Sequence, residues 1–231
     1  MACRKHEIDG GALMFTCERQ ILKSLLALLA VTILATISCA AEEVATGLRI
    51  VAAARQQIGV TKAYDPGYRT LKYPGGDVPV STGVCSDVVV RALRQVGVDL
   101  QKEVHEDMQK NFSSYPQKWG LKVPDKNIDH RRVPNLMLYF ERRQIVVAEK
   151  LNLAGAFRAG DIVAWNLGGA VLHIGVVSDR SRGPTPLIIH NIGGGTKEDD
   201  ILFKYQVIGH YRLKEISQPD GVANRGRPVV R

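Results

Sequence analysis

The hydrophobic pattern of this chain changes its period once, and that change is the strongest constraint on its fold. Up to Gln144 the apolar residues recur every three or four positions, as on one face of a helix. From Gly160 onward they form short runs rich in β-branched residues, which are typical of strands. Helices followed by strands predict an α+β fold, with N-terminal helices packed on an antiparallel sheet.

The clearest predicted helix covers residues 85–96. Its apolar residues begin at Cys85 and recur at helical spacing to Val96, and Gly97 follows as a C-terminal cap. Asp99 is placed to cap the next helix. Other predicted helices cover residues 42–59, 100–108 and 135–144, and predicted strands cover residues 161–165, 172–178, 187–192, 201–205 and 207–213.

The N-terminus has the three parts of a secretory signal. Basic residues precede an uncharged apolar run at 24–38, and small residues follow it. Ser38 and Ala40 fit the positions that a signal peptidase reads, so we place cleavage after Ala40. The apolar run is shorter than the ~20 residues that a membrane span needs.

The predicted domains follow from that cleavage: a signal peptide at 1–40, a single domain at 41–216 and a disordered tail at 217–231. The domain is expected in the periplasm or outside the cell. A lipoprotein acylated at Cys39 and an uncleaved anchor are the less favoured alternatives. Whether translation starts at Met1 or Met14 stays open.

The formal net charge of +8 favours attraction to anionic partners. The basic residues are scattered and no module of interleaved aromatic and basic residues occurs, so nucleic acid is excluded as a predicted partner. Peripheral contact with an anionic cell envelope is the remaining interpretation. The pattern does not predict an oligomeric state.

Removal of the signal peptide leaves Cys85 as the single cysteine, since Cys3, Cys17 and Cys39 all precede the cleavage site. A lone thiol in an exported protein is either reactive or a small buried hydrophobe. Its place at a helix start favours reactivity, because unpaired N–H groups there lower a thiol's pKa.

Two histidines on predicted strands complete a candidate catalytic set. His173 could take the thiol proton, and either His190 or Asn191 could accept a hydrogen bond from its ring. Neighbours in a strand point to opposite faces, so only one of the two can contact His173. A Cys/His/His zinc site is the weaker alternative, because no metal-ligand spacing accompanies these residues.

Arg131 and Arg132 lie in a polar stretch at 127–132. They could bind a substrate carboxylate, which arginine recognises with two hydrogen bonds. The alternative is an ordinary solvated loop.

Taken together, the cysteine and histidine motifs resemble the NlpC/P60 group of papain-like cysteine peptidases. More closely, the chain is identified as a member of the DUF1287 family of bacterial exported proteins, over about residues 50–212. The stretches that carry this resemblance are YPGGDVP at 73–79, GVCSDVV at 83–89, NIDHRRVPN at 127–135 and HNIG at 190–193.

The resemblance implies a papain-like fold and the site residues of an exported cysteine hydrolase. Cys85 would be the nucleophile, His173 the base and His190 the third member. Tyr73, Asp87, Arg131, Arg132 and Asn191 are candidate substrate-binding residues.

The resemblance also implies a substrate class, a cell-wall peptide, with no cofactor and no metal. Val84 and Asp87 depart from the NlpC/P60 pattern, so the bond cleaved stays open. The alternatives are a non-catalytic peptidoglycan-binding module on the same fold and an acyltransferase that forms a thioester.

Overall fold

The computed structural model describes residues 10–147 and 151–213. The chain divides into two compact units, Met1–Glu42 and Glu43–Arg231. The predicted tail at 217–231 lies outside the described residues.

Helix α1 spans Gly10–Arg55, and so continues through the predicted apolar run and beyond it. Within the described part of the chain, its stretch Lys23–Arg55 is the one helix long and apolar enough to cross a membrane. An N-terminal signal sequence has the same properties, so this helix is compatible with the predicted leader. The end of α1 contributes the buried residues Ile50, Val51 and Ala54 to the core of the second unit.

Three further helices of the second unit form close to their predicted positions. They are α2 (Cys85–Arg94), α3 (Leu100–Asn111) and α4 (Val133–Arg142). The Asp99 carboxylate caps α3 by accepting a hydrogen bond from the backbone N–H of Gln101 at 3.2 Å, as its sequence position predicts.

A five-stranded sheet follows the helices, which confirms the predicted α+β class. The strands of the chain are β1 (Ala63–Tyr64), β2 (Thr82–Gly83), β3 (Ile162–Asn166), β4 (Leu172–Arg182), β5 (Thr185–Asn191), β6 (Thr196–Asp199) and β7 (Gln206–Tyr211). The spatial order in the sheet is β6-β5-β4-β3-β7, and every neighbouring pair is antiparallel. The two short strands β1 and β2 pair in parallel outside this sheet.

One predicted strand is wrong. Residues 201–205 form turns, although Ile201 and Leu202 are buried against the sheet. The fourth strand is instead β6, whose polar sequence pairs with β5 at the edge of the sheet. An edge strand needs no buried face of its own, so it lacks the apolar alternation by which strands are predicted.

The two faces of the sheet carry separate apolar clusters. The helices α2, α3 and α4 cover one face, where Cys85 and Val89 pack with Ile174 and Ile189. The second cluster is built around Trp165 and lies on the other face. This packing fixes the start of α2 against strand β4.

Candidate active site

Cys85 is the first residue of α2 and is 4% exposed. The chain enters the helix through an extended Val84, whose backbone N–H donates to the Asp87 carboxylate at 2.6 Å. An acidic residue in the first turn stabilises a helix by this bond and by its charge. The local sequence therefore places the thiol at the buried N-terminus of the helix.

Polar groups of three elements surround the Cys85 sulfur. The hydroxyl of Tyr64 in β1 and the backbone N–H groups of Ser86 and of Ile174 in β4 lie near enough to interact with it electrostatically. Burial and the neighbouring Cys85 sulfur raise the pKa of the Tyr64 hydroxyl to about 12. Tyr64 itself is 41% exposed, whereas the thiol is buried.

Burial raises the pKa of the Cys85 thiol to about 11. The nearby backbone N–H groups lower it, but by less than burial raises it. The low pKa that a helix start predicts for the Cys85 thiol is therefore wrong for this structure. The thiol is protonated at neutral pH.

A chain of hydrogen bonds joins two histidines and a carboxylate on adjacent strands. His173 Nε2 of β4 lies 3.0 Å from His190 Nδ1 of β5. His190 Nε2 lies 3.3 Å from an Asp199 carboxylate oxygen in β6. His173 and His190 are both buried, whereas the Asp199 side chain is 36% exposed and also lies 3.2 Å from Lys197 Nζ.

The two imidazoles in this row of hydrogen bonds, those of His173 and His190, are neutral at pH 7. Burial, followed by the nearby His190 ring, lowers the pKa of His173 to about 3. Burial also lowers the pKa of His190, although the Asp199 carboxylate acts in the opposite direction. At rest, therefore, the thiol is protonated and both imidazoles are neutral.

The thiol and the His173 ring are not hydrogen-bonded to one another in the described structure. Cys85 packs on the face of the sheet that α2 covers, whereas His173 stands opposite Trp165 on the other face. The two residues are connected through β4: the backbone N–H of Ile174 lies near the sulfur, and Ile174 directly follows His173 in the sequence.

Asp87 and Arg131 form a buried ion pair beneath the start of α2. Two guanidinium nitrogens of Arg131 donate to the two carboxylate oxygens at 2.9 and 3.0 Å, and the side chains are 2% and 3% exposed. The same guanidinium donates to the carbonyls of Asp65 and Gly67, each at 3.0 Å. The pair thus fastens the loop after Tyr64 to the helix that carries the thiol.

Two other predicted substrate-binding residues lie beside different elements. Arg132 bonds to the Asp129 carboxylate at 2.9 Å and lies over the Trp119 ring at 4.1 Å. Tyr73 meets the ring of His105 in α3 at 5.3 Å. The structure shows no contact of either residue with Cys85 among the described side chains, and their roles stay predictions.

Asn191 holds the small β1–β2 pair against the large sheet. Its side-chain amide donates to the backbone carbonyls of Gly83, at 3.0 Å, and of Ala63, at 3.4 Å. His190, the preceding residue, is the one that contacts His173. Asn191 therefore acts in this structure on the strands that bear Tyr64 and lead into Cys85.

Sequence reasoning missed Tyr64 and Asp199. Tyr64 is one of three tyrosines in the loop before Cys85, with Tyr68 and Tyr73, and nothing in its local sequence distinguishes it. Asp199 lies in the edge strand that has no apolar alternation. Within the described parts of the chain, no group of three or more His, Cys, Asp or Glu side chains is arranged to hold a metal ion.

A family model described as "Domain of unknown function (DUF1287)" matches residues 51–213. The chain belongs to this family. It is also similar to the "Uncharacterized protein YijF" of Escherichia coli (strain K12), with 60% identity over 168 residues that cover 72% of this chain and 82% of that protein. No solved structure matches the chain.

The DUF1287 match includes every residue found around the sulfur and along the histidine chain. The predicted membership is thus confirmed. The comparisons give no support to the predicted similarity to the NlpC/P60 group, and they attach no activity to the DUF1287 domain.

Proposed function

We propose that this DUF1287 domain is a cysteine hydrolase that cleaves an amide bond, with a cell-wall peptide as its substrate class. The observation that carries the proposal is the setting of Cys85. Cys85 starts a buried helix, the backbone N–H groups of Ser86 and Ile174 lower its pKa, and Ile174 directly follows His173, whose imidazole is hydrogen-bonded to a second imidazole.

The chemistry would begin with transfer of the thiol proton to His173. His173 Nε2 is engaged by His190, which leaves Nδ1 as the nitrogen available for this proton. At rest the sulfur packs on the face of the sheet that α2 covers and His173 lies on the other face, so a rearrangement at the start of β4 must first bring the two together. The sulfur then attacks the substrate carbonyl carbon, and its oxygen becomes an oxyanion.

Backbone N–H groups at the start of α2 would hold that oxyanion, since the first N–H groups of a helix have no partner within it. The protonated His173 then gives its proton to the departing amine nitrogen, and a thioester with Cys85 remains. Water attacks the thioester while His173 takes a proton from it. Release of the carboxylic acid restores the thiol.

The resting pKa values call for an opening step before this chemistry. A thiol with a pKa near 11 does not give its proton to an imidazole with a pKa near 3 while both stay buried. Movement of the neighbouring Tyr64 side chain when substrate binds would let water reach the thiol. Burial would then no longer oppose the charged forms so strongly.

The substrate class rests on two lines of support. The N-terminal apolar helix is compatible with export, which would place the domain beside the cell wall. The sequence motifs resemble peptidases that act there. We propose the NlpC/P60-like, papain-like arrangement on the same ground.

The test is hydrolysis of purified peptidoglycan peptides, followed as new amino groups and by mass spectrometry. The wild-type chain is expected to cleave, whereas Cys85→Ala and His173→Gln should lose at least about a hundredfold in rate, as removal of a nucleophile or base does. Cys39→Ala is the matched control, because this exposed cysteine precedes the domain. Full turnover by Cys85→Ala would refute the proposal.

A peptidoglycan-binding module is the second candidate, and the closed neutral site favours it. A buried protonated thiol is also what an inert core cysteine would show. In that case wild type and Cys85→Ala would sediment equally with insoluble peptidoglycan, and neither would release amines.

A further inference from the structure

We propose that Asp199 is a positioning residue that fixes the tautomers of both His190 and His173, and so makes His173 Nδ1 the proton acceptor of the site. The catalytic meaning of this assignment rests on the proposed function. The tautomers themselves are properties of the folded protein and can be measured without a substrate.

The direction of the hydrogen-bond chain starts at the carboxylate. An ionised carboxylate only accepts hydrogen bonds, so the proton between it and His190 must be on His190 Nε2. The same Asp199 oxygen lies 3.2 Å from the Lys197 ammonium, which has only hydrogens to donate, so this oxygen faces two donors. A neutral imidazole carries one N–H, which leaves His190 Nδ1 as an acceptor.

The same reasoning passes from His190 to His173. Because His190 Nδ1 carries no hydrogen, the proton in the 3.0 Å contact must be on His173 Nε2. His173 Nδ1 is then the bare nitrogen. The opposite orientation would put a hydrogen on His173 Nδ1 and leave a lone pair of His190 Nε2 facing a carboxylate, which has no hydrogen to donate.

Proton transfer to His173 leaves the direction of both hydrogen bonds in the row His173–His190–Asp199 unchanged. When the Cys85 proton arrives at His173 Nδ1, the ring becomes an imidazolium that still donates from Nε2 to His190. No proton moves to Asp199, which stays ionised and favours the positive ring through the intervening imidazole. A donor-only side chain at 199 would reverse the orientation of every bond in the chain.

The experiment is nitrogen-15 NMR of the histidine rings of the full chain at pH 7. The protein has six histidines, and single His173→Gln and His190→Gln variants assign the NMR signals of these two rings. In the wild type we expect a protonated Nε2 and a bare Nδ1 in both rings. A hydrogen on Nδ1 of either ring would overturn the proposal.

Asp199→Lys tests the cause, because an ammonium only donates hydrogen bonds. Both rings are expected to move to the Nδ1-protonated form in this variant. The matched control is Asp200→Lys, which makes the same charge change at the next carboxylate, 3.7 Å from Arg182, and should keep the wild-type tautomers. Unchanged tautomers in a folded Asp199→Lys variant would refute the role of Asp199.

The two proposals fail in different ways. Wild-type tautomers as expected, with no hydrolysis of any peptide, would leave the role of Asp199 intact and remove the hydrolase. Hydrolysis that survives in Asp199→Lys at the wild-type rate would support a hydrolase and remove the positioning role.

Discussion

Replacement of Arg131 by methionine should destabilise the domain more than any other single loss of charge near the site. The change removes four hydrogen bonds: two to the Asp87 carboxylate and two to the carbonyls of Asp65 and Gly67. Asp87 would stay buried, with the Val84 N–H as its remaining donor. Breaking a buried pair from one side costs about 3–5 kcal/mol, because the other charge is left uncompensated.

We therefore expect the free energy of unfolding of Arg131→Met to fall by about 4 kcal/mol, measured by urea denaturation at pH 7. The double variant Asp87→Asn/Arg131→Met should recover part of this loss, since it leaves no buried charge. Arg69→Met is the matched control. It removes a partly exposed ion pair with Asp65, worth about 1 kcal/mol or less.

A loss below about 1 kcal/mol for Arg131→Met, or one equal to that of Arg69→Met, would refute this account of the buried pair. An unchanged stability together with a higher KM would instead favour the predicted role of Arg131 in substrate binding. The measurement therefore separates a residue that positions the helix from one that binds a ligand.

Two further predictions concern stability. The pKa of buried His173 is lowered to about 3 and that of His130 to about 4, so below pH 6.5 the unfolded chain binds protons that the folded chain does not. Each of these two histidines should lower the free energy of unfolding by about 2 kcal/mol between pH 7 and pH 5. A free energy of unfolding that stays constant over that range, measured by urea denaturation, would contradict this. Gly160→Ala should cost about 3 kcal/mol in the same assay, because φ is +87° and a Cβ would lie 2.4 Å from Gly47 Cα. Gly155→Ala, with open space around the new Cβ, should cost less than about 1 kcal/mol, and equal losses would count against the steric argument.

The elements that the sequence predicts well are those whose own residues determine them. The stripe from Cys85 through α2 and the cap at Asp99 are local signals, and both appear in the structure. Edge strand β6 could not be predicted in this way, because its pairing with β5 supplies what its polar sequence lacks. The placement of Tyr64 depends in turn on a strand pairing with residues almost twenty positions later.

The electrostatic properties of the site also could not be predicted from the local sequence. A helix start predicts an acidic thiol, but the pKa of Cys85 depends on how much water the tertiary structure leaves around it. His210 had no partner that its sequence position suggests. In the structure its Nε2 lies 2.6 Å from Asp161, which also accepts two hydrogen bonds from Arg212.

The burial of Cys85 determines how this protein would behave towards reagents. An electrophilic probe must reach the sulfur and find it ionised, and the resting Cys85 offers neither condition. A proteome-wide survey of reactive cysteines would pass over the folded chain, whatever its activity. The same burial would protect the thiol from oxidation by peroxide for as long as the domain stays folded.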